Sequence, residues 1–511
     1  MLTTLAAPAF AGTWYIENGD ITVKAGETGN NVTQNNVTTE NDPDTIITNQ
    51  NKDTASSNTV TIEAEKKDDK VEVTLKDVNI KADSGSALTS KGDVTLALNG
   101  DNHLTGGISG TGNYGRNGIA STGSLTISGG ENDSLTAQGG SGADGSYGGH
   151  GIYSNGSLTI SGGTVNANGG DGKNGSDGGD GICSDSGDVT ISGGTVTATG
   201  GGSTGSNGLG GRGICSDSGG ITISGGTVKA TGGNGDYSGG DGISSSDRVA
   251  ISGSTVTANG GDSSSRNGAS GISSSSGVTV SGGTVNATGG NGGKVGGYGI
   301  CSFDRVAISG GTVEAAGGSS GSSNGGSGIY SNDIDLSGSL ELTAKAGNPN
   351  GKALSQSGKE LDLDTIKDKL GPGAKVTATD ADGKVIDQVP IPRPVEPEES
   401  SSSSDGGSSA PSAPAFSLPG LTVTDKDGQR ISYTSTQSGN TLTVCVGRLT
   451  ASFRISLAAL RQLRAEGIET ITFQTILCST TLSVDELLAM GGEDAEAVLT
   501  HRFTDSSLTV G

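Results

Sequence analysis

Apolar and polar residues alternate over short stretches in the middle of the chain, a pattern typical of β-strands rather than helices. In residues 151–170, GIYSNGSLTISGGTVNANGG, Leu158 and Ile160 alternate with Ser and Thr. Val165 and Ala167 alternate with Thr and Asn in the same way, and Ile152 supplies a third apolar position. The pattern predicts three short strands separated by turns, with the Gly162-Gly163 pair at one tight corner.

The same motif is repeated along the chain. Its copies begin at Gly118, Gly151, Gly181, Gly213, Gly242, Gly271, Gly299 and Gly328. The spacing between copies ranges from 33 residues, between Ile127 and Ile160, to 28 residues, between Val280 and Ile308. One repeat offers about five inward apolar side chains, too few to form a core alone, so repeats must stack at about 4.8 Å and bury one another. The sequence therefore predicts an all-β solenoid, a parallel β-helix with three strands per coil.

Two further columns follow from stacking the repeats. Each repeat carries a Ser at its fourth position, for example Ser154 and Ser184, and we expect these hydroxyls to donate to one another as a ladder. The position before each Ser should face outward, and it holds Cys183 and Cys215 in adjacent repeats. These two cysteines would be close enough for a disulfide, and Cys445 could pair with Cys478 near the end of the chain.

Composition changes outside the repeats and predicts four segments. Residues 1–11 end in an Ala-x-Ala pattern and are interpreted as the remnant of a signal peptide, and residues 12–388 as the β-helix. Within the β-helix, residues 25–58 are rich in Asn and Thr and are expected to form a loop. Residues 389–419 form a Pro/Ser-rich linker, and residues 420–511 form a small α+β domain of unknown role.

Charge and composition exclude some classes of function. The chain has 31 Lys and Arg against 55 Asp and Glu, a net charge of −24, so a nucleic-acid partner is not expected. It contains no apolar run long enough to span a membrane. Together with the signal-like start, this favours a secreted or cell-surface protein.

Three stretches resemble a known bacterial family. These are the repeat GIxSxGSLTISGGTVNA, the segment LALNGDNxLT and the opening TWYIENGDIT of residues 13–22. They are similar to proteins described as carbohydrate-binding domain proteins, over roughly residues 12–385. The resemblance implies a right-handed parallel β-helix similar to pectate lyases, binding to plant-type cell-wall polysaccharide, and calcium bound by at least some members. It assigns no ligand-binding residue.

The loops that follow the third strand of each coil hold the candidate ligands. Calcium needs six to eight oxygen ligands, and the loop residues that could supply them are Asp171, Asp177, Asp180, Asp236 and Asp241. Turn formation alone also explains Gly, Asn and Asp at these positions. A sugar platform needs flat aromatic faces, and the candidates are Tyr147, Tyr153, Tyr237, Tyr298 and Tyr330.

These features favour non-catalytic binding of a cell-wall-type polysaccharide, with calcium as a candidate cofactor. A lyase would need clustered carboxylates and an Arg or Lys base, and the repeated motifs show neither break nor cluster. Two alternatives stay open at this point: a surface adhesin or structural stalk, and a polysaccharide lyase. The oligomeric state is not determined by the sequence.

Overall fold

A computed structural model describes residues 12–66, 69–108, 114–389, 421–424, 430–431, 433–438, 440–446, 451–475, 479–490, 495–501 and 506–510. The predicted signal segment, nearly all of the predicted linker and Cys478 lie outside these residues. The chain divides into two units, 1–397 and 398–511, and each is described by itself.

The first unit is a parallel β-helix of three sheets, as the repeats predict, and between residues 70 and 345 each coil adds one strand to each sheet. Sheet 1 comprises Ile21–Ala25, Val60–Glu63, Leu88–Lys91, Ile119–Ser121, Ile152–Ser154, Ile182–Ser184, Ile214–Ser216, Ile243–Ser245, Ile272–Ser274, the starts of Ile300–Ala316 and Ile329–Lys345, and Leu354–Gln356. Sheet 2 comprises Thr13–Tyr15, Thr45–Thr48, Lys70–Lys76, Asp93–Asn99, Leu125–Ser128, Leu158–Ile160, Val189–Ile191, Ile221–Ile223, Arg248–Ile251, Gly277–Val280 and the middles of the two long strands. Sheet 3 comprises Asn79–Lys81, Asp101–Thr105, Ser134–Gln138, Thr164–Asn168, Thr195–Thr199, Thr227–Thr231, Thr255–Asn259, Thr284–Thr288, the ends of the two long strands, and Lys375–Thr379.

The core is a column of aliphatic side chains inside the three sheets. In one coil, Ile152, Leu158, Ile160, Val165 and Ala167 are all fully buried. Their register partners in the next coil are Ile182, Val189, Ile191, Val196 and Ala198. Because like residues stack on like, every coil meets the same interior shape. This confirms the predicted inward face of the repeat.

Antiparallel strands close both ends of the stack. At the first end, Ile21–Ala25 pairs with Asn30–Gln34, which pairs in turn with Val37–Asp42. At the other end, Lys359–Glu360 pairs with sheet 1 and Val385–Val389 pairs with sheet 3. Two 3-10 helices, Leu363–Thr365 and Lys367–Lys369, lie near this end of the stack. These strands pair edges that would otherwise be open.

The prediction that residues 25–58 form a loop is wrong. This segment contains the two antiparallel strands just described and Thr45–Thr48. The first two strands meet at Asn35 and Asn36, whose φ values are +53° and +62°. Two successive residues of positive φ are typical of a two-residue hairpin turn, which Asn tolerates better than most residues. The sequence does not reveal this hairpin, because both strands are rich in Asn and Thr and each contains only one apolar residue.

The serine column is structural, but its hydroxyls do not bond to one another as predicted. The Ser154 hydroxyl donates to the carbonyl oxygen of Gly123 at 2.8 Å, and the Ser216 hydroxyl donates to Gly187 at 2.8 Å. Ser184 donates to Gly156 and also accepts from the Gly187 N–H at 3.2 Å. The corners leave backbone groups that the strands cannot pair. A buried hydroxyl that bonds to these backbone groups is more favourable in free energy than a ladder of hydroxyls that would leave the backbone groups unpaired.

Glycine pairs lie at both ends of the loop that connects sheet 3 to sheet 1. The sequence predicts glycine at turns, but turn formation does not explain these pairs. We term the pair after each sheet 3 strand the outgoing pair and the pair before each sheet 1 strand the returning pair. The outgoing pairs begin at Gly106, Gly139, Gly169, Gly200, Gly232, Gly260, Gly289 and Gly317, and the returning pairs at Gly148, Gly178, Gly210, Gly239, Gly268, Gly296 and Gly325. The second residue of the pair at Gly268 is Ala269, and every other member is glycine. Gly163, at the predicted corner, has a φ of +79°. The glycines of the outgoing and returning pairs do not adopt positive φ, so backbone freedom is not the reason for glycine there.

Space is the reason. The Gly179 N–H donates to the Gly170 carbonyl of its own coil at 2.8 Å, and the Gly201 N–H donates to Gly179 of the preceding coil at 2.8 Å. The Gly211 N–H then donates to Gly201 at 2.9 Å, and the same zigzag continues along the stack. A Cβ atom built on Gly201 would lie 2.0 Å from the Gly170 carbonyl oxygen. Two layers of bare backbone therefore pack directly on each other, which we term the glycine slab.

The second unit is a small domain of two four-stranded sheets and two helices, as the sequence predicts for this region. One sheet contains Leu421–Thr424, Ala451–Ser456, Glu496–His501 and Ser506–Val510, and the other contains Thr434–Ser438, Thr441–Cys445, Thr470–Gln474 and Ser479–Ser483. The helices are Leu457–Ala465 and Val484–Met490. Ser456 caps the first helix by accepting from the Ala459 N–H, as its sequence indicates. Phe453 and Phe473 are fully buried, with ring centroids 5.3 Å apart.

The glycine slab predicts a sharp difference between two neighbouring positions. Gly201→Ala places a methyl group against a backbone oxygen that cannot rotate away, so we expect a loss of at least about 2 kcal/mol in unfolding free energy. Gly202→Ala is the matched control, since its nearest atom to a new Cβ is 3.5 Å away. We expect this control to stay within about 1 kcal/mol of the parent protein. Urea unfolding followed by circular dichroism measures both, and equal effects of the two substitutions would contradict the slab.

Candidate functional site

A groove of about 810 Å³ runs along the β-helix, parallel to the stacking direction. Its floor is the returning glycine pair of successive coils, so no side chain other than the methyl group of Ala269 fills it. The residue before each pair forms one wall and the residue after each pair forms the other. The groove is lined by six coils, from Tyr147 to Tyr298, a length of about 24 Å at a rise of about 4.8 Å per coil.

The first wall, before the glycine pairs, is mixed in character. It consists of Tyr147, Asp177, Leu209, Ser238, Asn267 and Val295. Tyr147 is 49% exposed, and its ring stacks on that of Tyr114 with the centroids 5.7 Å apart. An exposed pair of rings at one end of a groove offers a flat apolar face to a ligand.

The second wall, after the pairs, contains most of the charged groups. It consists of His150, Asp180, Arg212, Asp241, Ser270 and Tyr298. Its side chains bond to the backbone of the next coil: the His150 Nδ1 accepts from the Asp180 N–H at 2.9 Å, and Asp180 Oδ1 accepts from the Arg212 N–H at 2.6 Å. Asp241 Oδ1 accepts from the Ser270 N–H at 2.7 Å. These bonds fix the wall in place, so the groove is built before any ligand enters.

Arg212 is held by two carboxylates at the centre of this wall. Its guanidinium lies 3.2 Å from Asp180 Oδ2 and 2.5 Å from Asp217 Oδ1. Burial alone would lower the pKa of Arg212, but Asp180 and Asp217 raise it overall. Burial raises the pKa of Asp241, and the Ser270 N–H opposes this in part. The positive charge of Arg212 is therefore paired with two carboxylates of the protein itself.

The structure places the five predicted tyrosines at three locations. Tyr147 and Tyr298 line the groove near its two ends. Tyr330 stacks on Tyr298 at 4.8 Å, and Tyr153 stacks on the His150 ring at 5.5 Å, so both support groove residues. Tyr237 lies in a loop away from the groove lining, where Arg266 covers its ring at 4.4 Å.

The five predicted metal ligands do not come together. Asp177, Asp180 and Asp241 line the groove, whereas Asp171 and Asp236 do not. Each of the five accepts a hydrogen bond from the next coil: Asp171 from the Gly202 N–H at 2.8 Å, Asp177 from the Leu209 N–H at 2.9 Å, and Asp236 from the Ser264 hydroxyl. Asp180 and Asp241 accept from Arg212 and Ser270 as described. This is the turn and stacking role that the sequence also allowed.

The one cluster of candidate ligand side chains in the described residues does not suit calcium. Among the described residues, the one group of three or more His, Cys, Asp or Glu ligand atoms within 4.8 Å of one another is Asp180, Cys183 and Cys215. The two cysteines are paired as the expected disulfide, with Cα atoms 4.7 Å apart. Calcium prefers six to eight oxygens, and disulfide sulfurs do not supply them. No set of three of the five predicted carboxylates converges within this distance.

The outward-facing column that contains the cysteines is covered rather than exposed. Cys183, Cys215 and Cys301 are each 4% exposed or less. Side chains of the second wall contact two of them: Arg212 Nη2 lies 4.0 Å from Cys183 Sγ, and Asp180 Oδ2 lies 3.3 Å from Cys215 Sγ. Cys301 is free, in agreement with its distance from Cys215 along the repeats. Burial raises the pKa of the Cys301 thiol to about 12, with a smaller contribution from Asp241. Cys445 is also free, and the proposed partner Cys478 lies outside the described residues.

Sequence reasoning missed His150 and Arg212 as groove residues. The signal was present in the repeats. Aligning each repeat on its starting glycine places Asn117, His150, Asp180, Arg212, Asp241, Ser270 and Tyr298 in one column, immediately before that glycine. The motif itself is uniform, but this column varies in charge from one repeat to the next. Variation at one position of an otherwise uniform repeat is what a ligand-facing wall requires.

Comparison with known proteins supports the fold. Residues 158–180, 189–211, 221–247 and 249–276 match a protein-family model described as a beta helix repeat. No curated protein and no solved structure matches the chain significantly. The chain is therefore similar to β-helix repeat proteins over the central coils. Within the described residues, no helix is long and apolar enough to cross a membrane.

The environment of Cys301 predicts slow alkylation. At pH 8 a thiol of pKa about 12 holds far less thiolate than an ordinary cysteine, whose reference value is 9.0. We expect iodoacetamide to label Cys301 at least about 100-fold more slowly in the folded protein than in urea. Peptide mapping by mass spectrometry measures this label separately from other cysteines, and comparable rates in both states would show that the column is open to solvent.

The same shift has a consequence for stability. The folded protein holds the Cys301 proton more tightly than the unfolded chain does, since the folded pKa is the higher of the two. Its contribution to stability is thus complete below pH 9.0 and is lost as the pH rises towards about 12. We expect Cys301→Ser to reduce the loss of stability over this alkaline range, as read from urea midpoints.

Proposed function

We propose that the β-helix binds an extended polysaccharide along its groove, outside the cell, without cleaving it. The observation that carries this proposal is the shape of the groove: a floor of glycines and Ala269 continues across six coils, between one wall of mixed character and one that is mostly polar. A small molecule would fill only part of such a groove. A polymer chain lying along the axis can contact one coil after another in the same way.

The lining suits sugar rings. Tyr147 and Tyr298 supply aromatic faces near the two ends of the groove. Ser238, Asn267 and Ser270 supply hydroxyl and amide groups between them, and the walls are prepared in advance by bonds to the backbone. Aromatic faces beside fixed polar groups are the usual way in which proteins hold carbohydrates. This agrees with the resemblance to carbohydrate-binding domain proteins.

The state of Arg212 supports binding without catalysis. A lyase needs a basic group that can accept a proton from the sugar. Arg212 is the one Arg or Lys among the described residues that line the groove, and its two carboxylate partners raise its pKa. A guanidinium held in its charged form is a poor proton acceptor. Release of unsaturated products from pectin, followed by ultraviolet absorbance, tests this point, and steady release would contradict it.

A binding assay with matched tyrosine variants tests the proposed function. Full-length protein is mixed with insoluble cellulose or with immobilised, fully methyl-esterified pectin, and the bound fraction is measured as a function of protein concentration. We expect Tyr147→Ala to weaken binding about five- to tenfold, since an exposed stacking face is lost. Tyr237→Ala is the control, because Tyr237 was an equal candidate from sequence but lies outside the groove lining. Equal losses for both variants, or none, would contradict the proposed site.

The same assay tests calcium. The resemblance implies calcium in at least some relatives, whereas the predicted carboxylates are already bonded to neighbouring coils. We therefore expect binding to be unchanged when the protein is treated with a chelator. A loss of binding that added calcium restores would assign calcium a role that the described carboxylates do not indicate.

A further inference from the structure

The charges that line the groove are mostly negative. Asp177, Asp180 and Asp241 face it, and Arg212 is the one Arg or Lys of the described lining. Arg212 is paired with Asp180 and also with Asp217, so it brings no free positive charge to a ligand. His150 accepts a hydrogen bond at Nδ1 from the Asp180 N–H, so that nitrogen carries no proton in this arrangement. Asp180 balances Arg212, and Asp177 therefore leaves the groove with a net negative charge.

We propose that the polysaccharide is an uncharged one and that acidic polymers such as polyuronates are excluded; this inference rests on the proposed function. Proteins recognise carboxylate groups with unpaired Arg or Lys, and the described groove lining has none. The groove would place the carboxylates of a polyuronate beside those of Asp177 and Asp241. The net charge of −24 over the whole chain adds a longer-range repulsion of the same sign.

Uncharged sugars find complementary groups in the same lining. A carboxylate oxygen accepts hydrogen bonds from sugar hydroxyls, and such charge-assisted bonds are stronger than neutral ones. Asp177 uses one oxygen for the Leu209 N–H, which leaves the other oxygen to accept from a ligand. The same carboxylate that repels an acidic polymer therefore accepts hydrogen bonds from the hydroxyl groups of an uncharged one. The groove thus discriminates by charge, while its length selects for a polymer.

Matched pairs of polymers test this inference. The first pair is fully methyl-esterified and de-esterified polygalacturonate, and the second is hydroxyethyl cellulose and carboxymethyl cellulose. Within each pair the backbone is the same and the charge differs. Binding to full-length protein is measured in chelator and again with added calcium. We expect the uncharged member to bind at least about tenfold more tightly in every pair that binds.

Two isosteric variants locate the effect. Asp177→Asn removes a groove charge and keeps the oxygen that accepts from Leu209, so it should reduce the difference within a pair about threefold or more. Asp171→Asn is the control, since Asp171 has the same bond to the next coil, at 2.8 Å to the Gly202 N–H, but lies outside the groove lining. We expect this control to leave the difference unchanged.

Each other outcome overturns a definite part of the account. An acidic member that binds as tightly as its uncharged partner, with or without calcium, overturns the charge discrimination and leaves the proposed function standing. A preference for the uncharged member that Asp177→Asn does not change overturns the assignment to the groove. Failure of all four polymers to bind overturns the proposed function itself, and this inference with it.

Discussion

Direct packing of backbone on backbone in the glycine slab is the constraint on which the rest of the structure depends. In most of a β-helix, side chains separate the chain segments that cross one another. Here the outgoing and returning pairs carry a single Cβ among them, that of Ala269, and each N–H finds a carbonyl in the neighbouring segment. The slab aligns the loops of successive coils, because its hydrogen bonds alternate within a coil and between coils. A high glycine content, which usually indicates disorder, is in this chain the requirement for close packing.

The groove follows from the same constraint. Because the returning pair carries almost no side chains, it forms a floor between the residues before and after it. Those residues are free to vary without disturbing the stack, and they do vary, from Tyr147 to Asp177 on one side and from His150 to Arg212 on the other. The repeat thus separates two tasks: the inward Ile, Val and Ala positions and the glycines maintain the stack, and two columns beside the glycines carry the chemistry.

The sequence was sufficient for the parts of the fold that depend on alternation. Period two alone assigns Leu158, Ile160 and Val165 to the interior, and all three are fully buried. It was not sufficient where one residue type serves two purposes. Gly163 needs glycine for positive φ and Gly170 needs it for space, and composition does not separate these reasons. The hairpin at Asn35 and the carbonyl acceptors of the serine column depend on long-range pairing, which no local pattern reveals. The groove could not be predicted either, because the sequence does not show which loop positions of successive coils form the same wall.

Residue-resolved amide hydrogen exchange on the folded protein tests the glycine slab most directly. If the slab exists, the amides of Gly179, Gly201 and Gly211 are bonded to carbonyls of neighbouring segments and should exchange as slowly as those of Ile182 and Ile214 in sheet 1. Exchange of these glycine amides at the rate of an unstructured loop, with the sheet amides still protected, would show that the loops are not packed in this way. The groove and the account built on it would then have no floor.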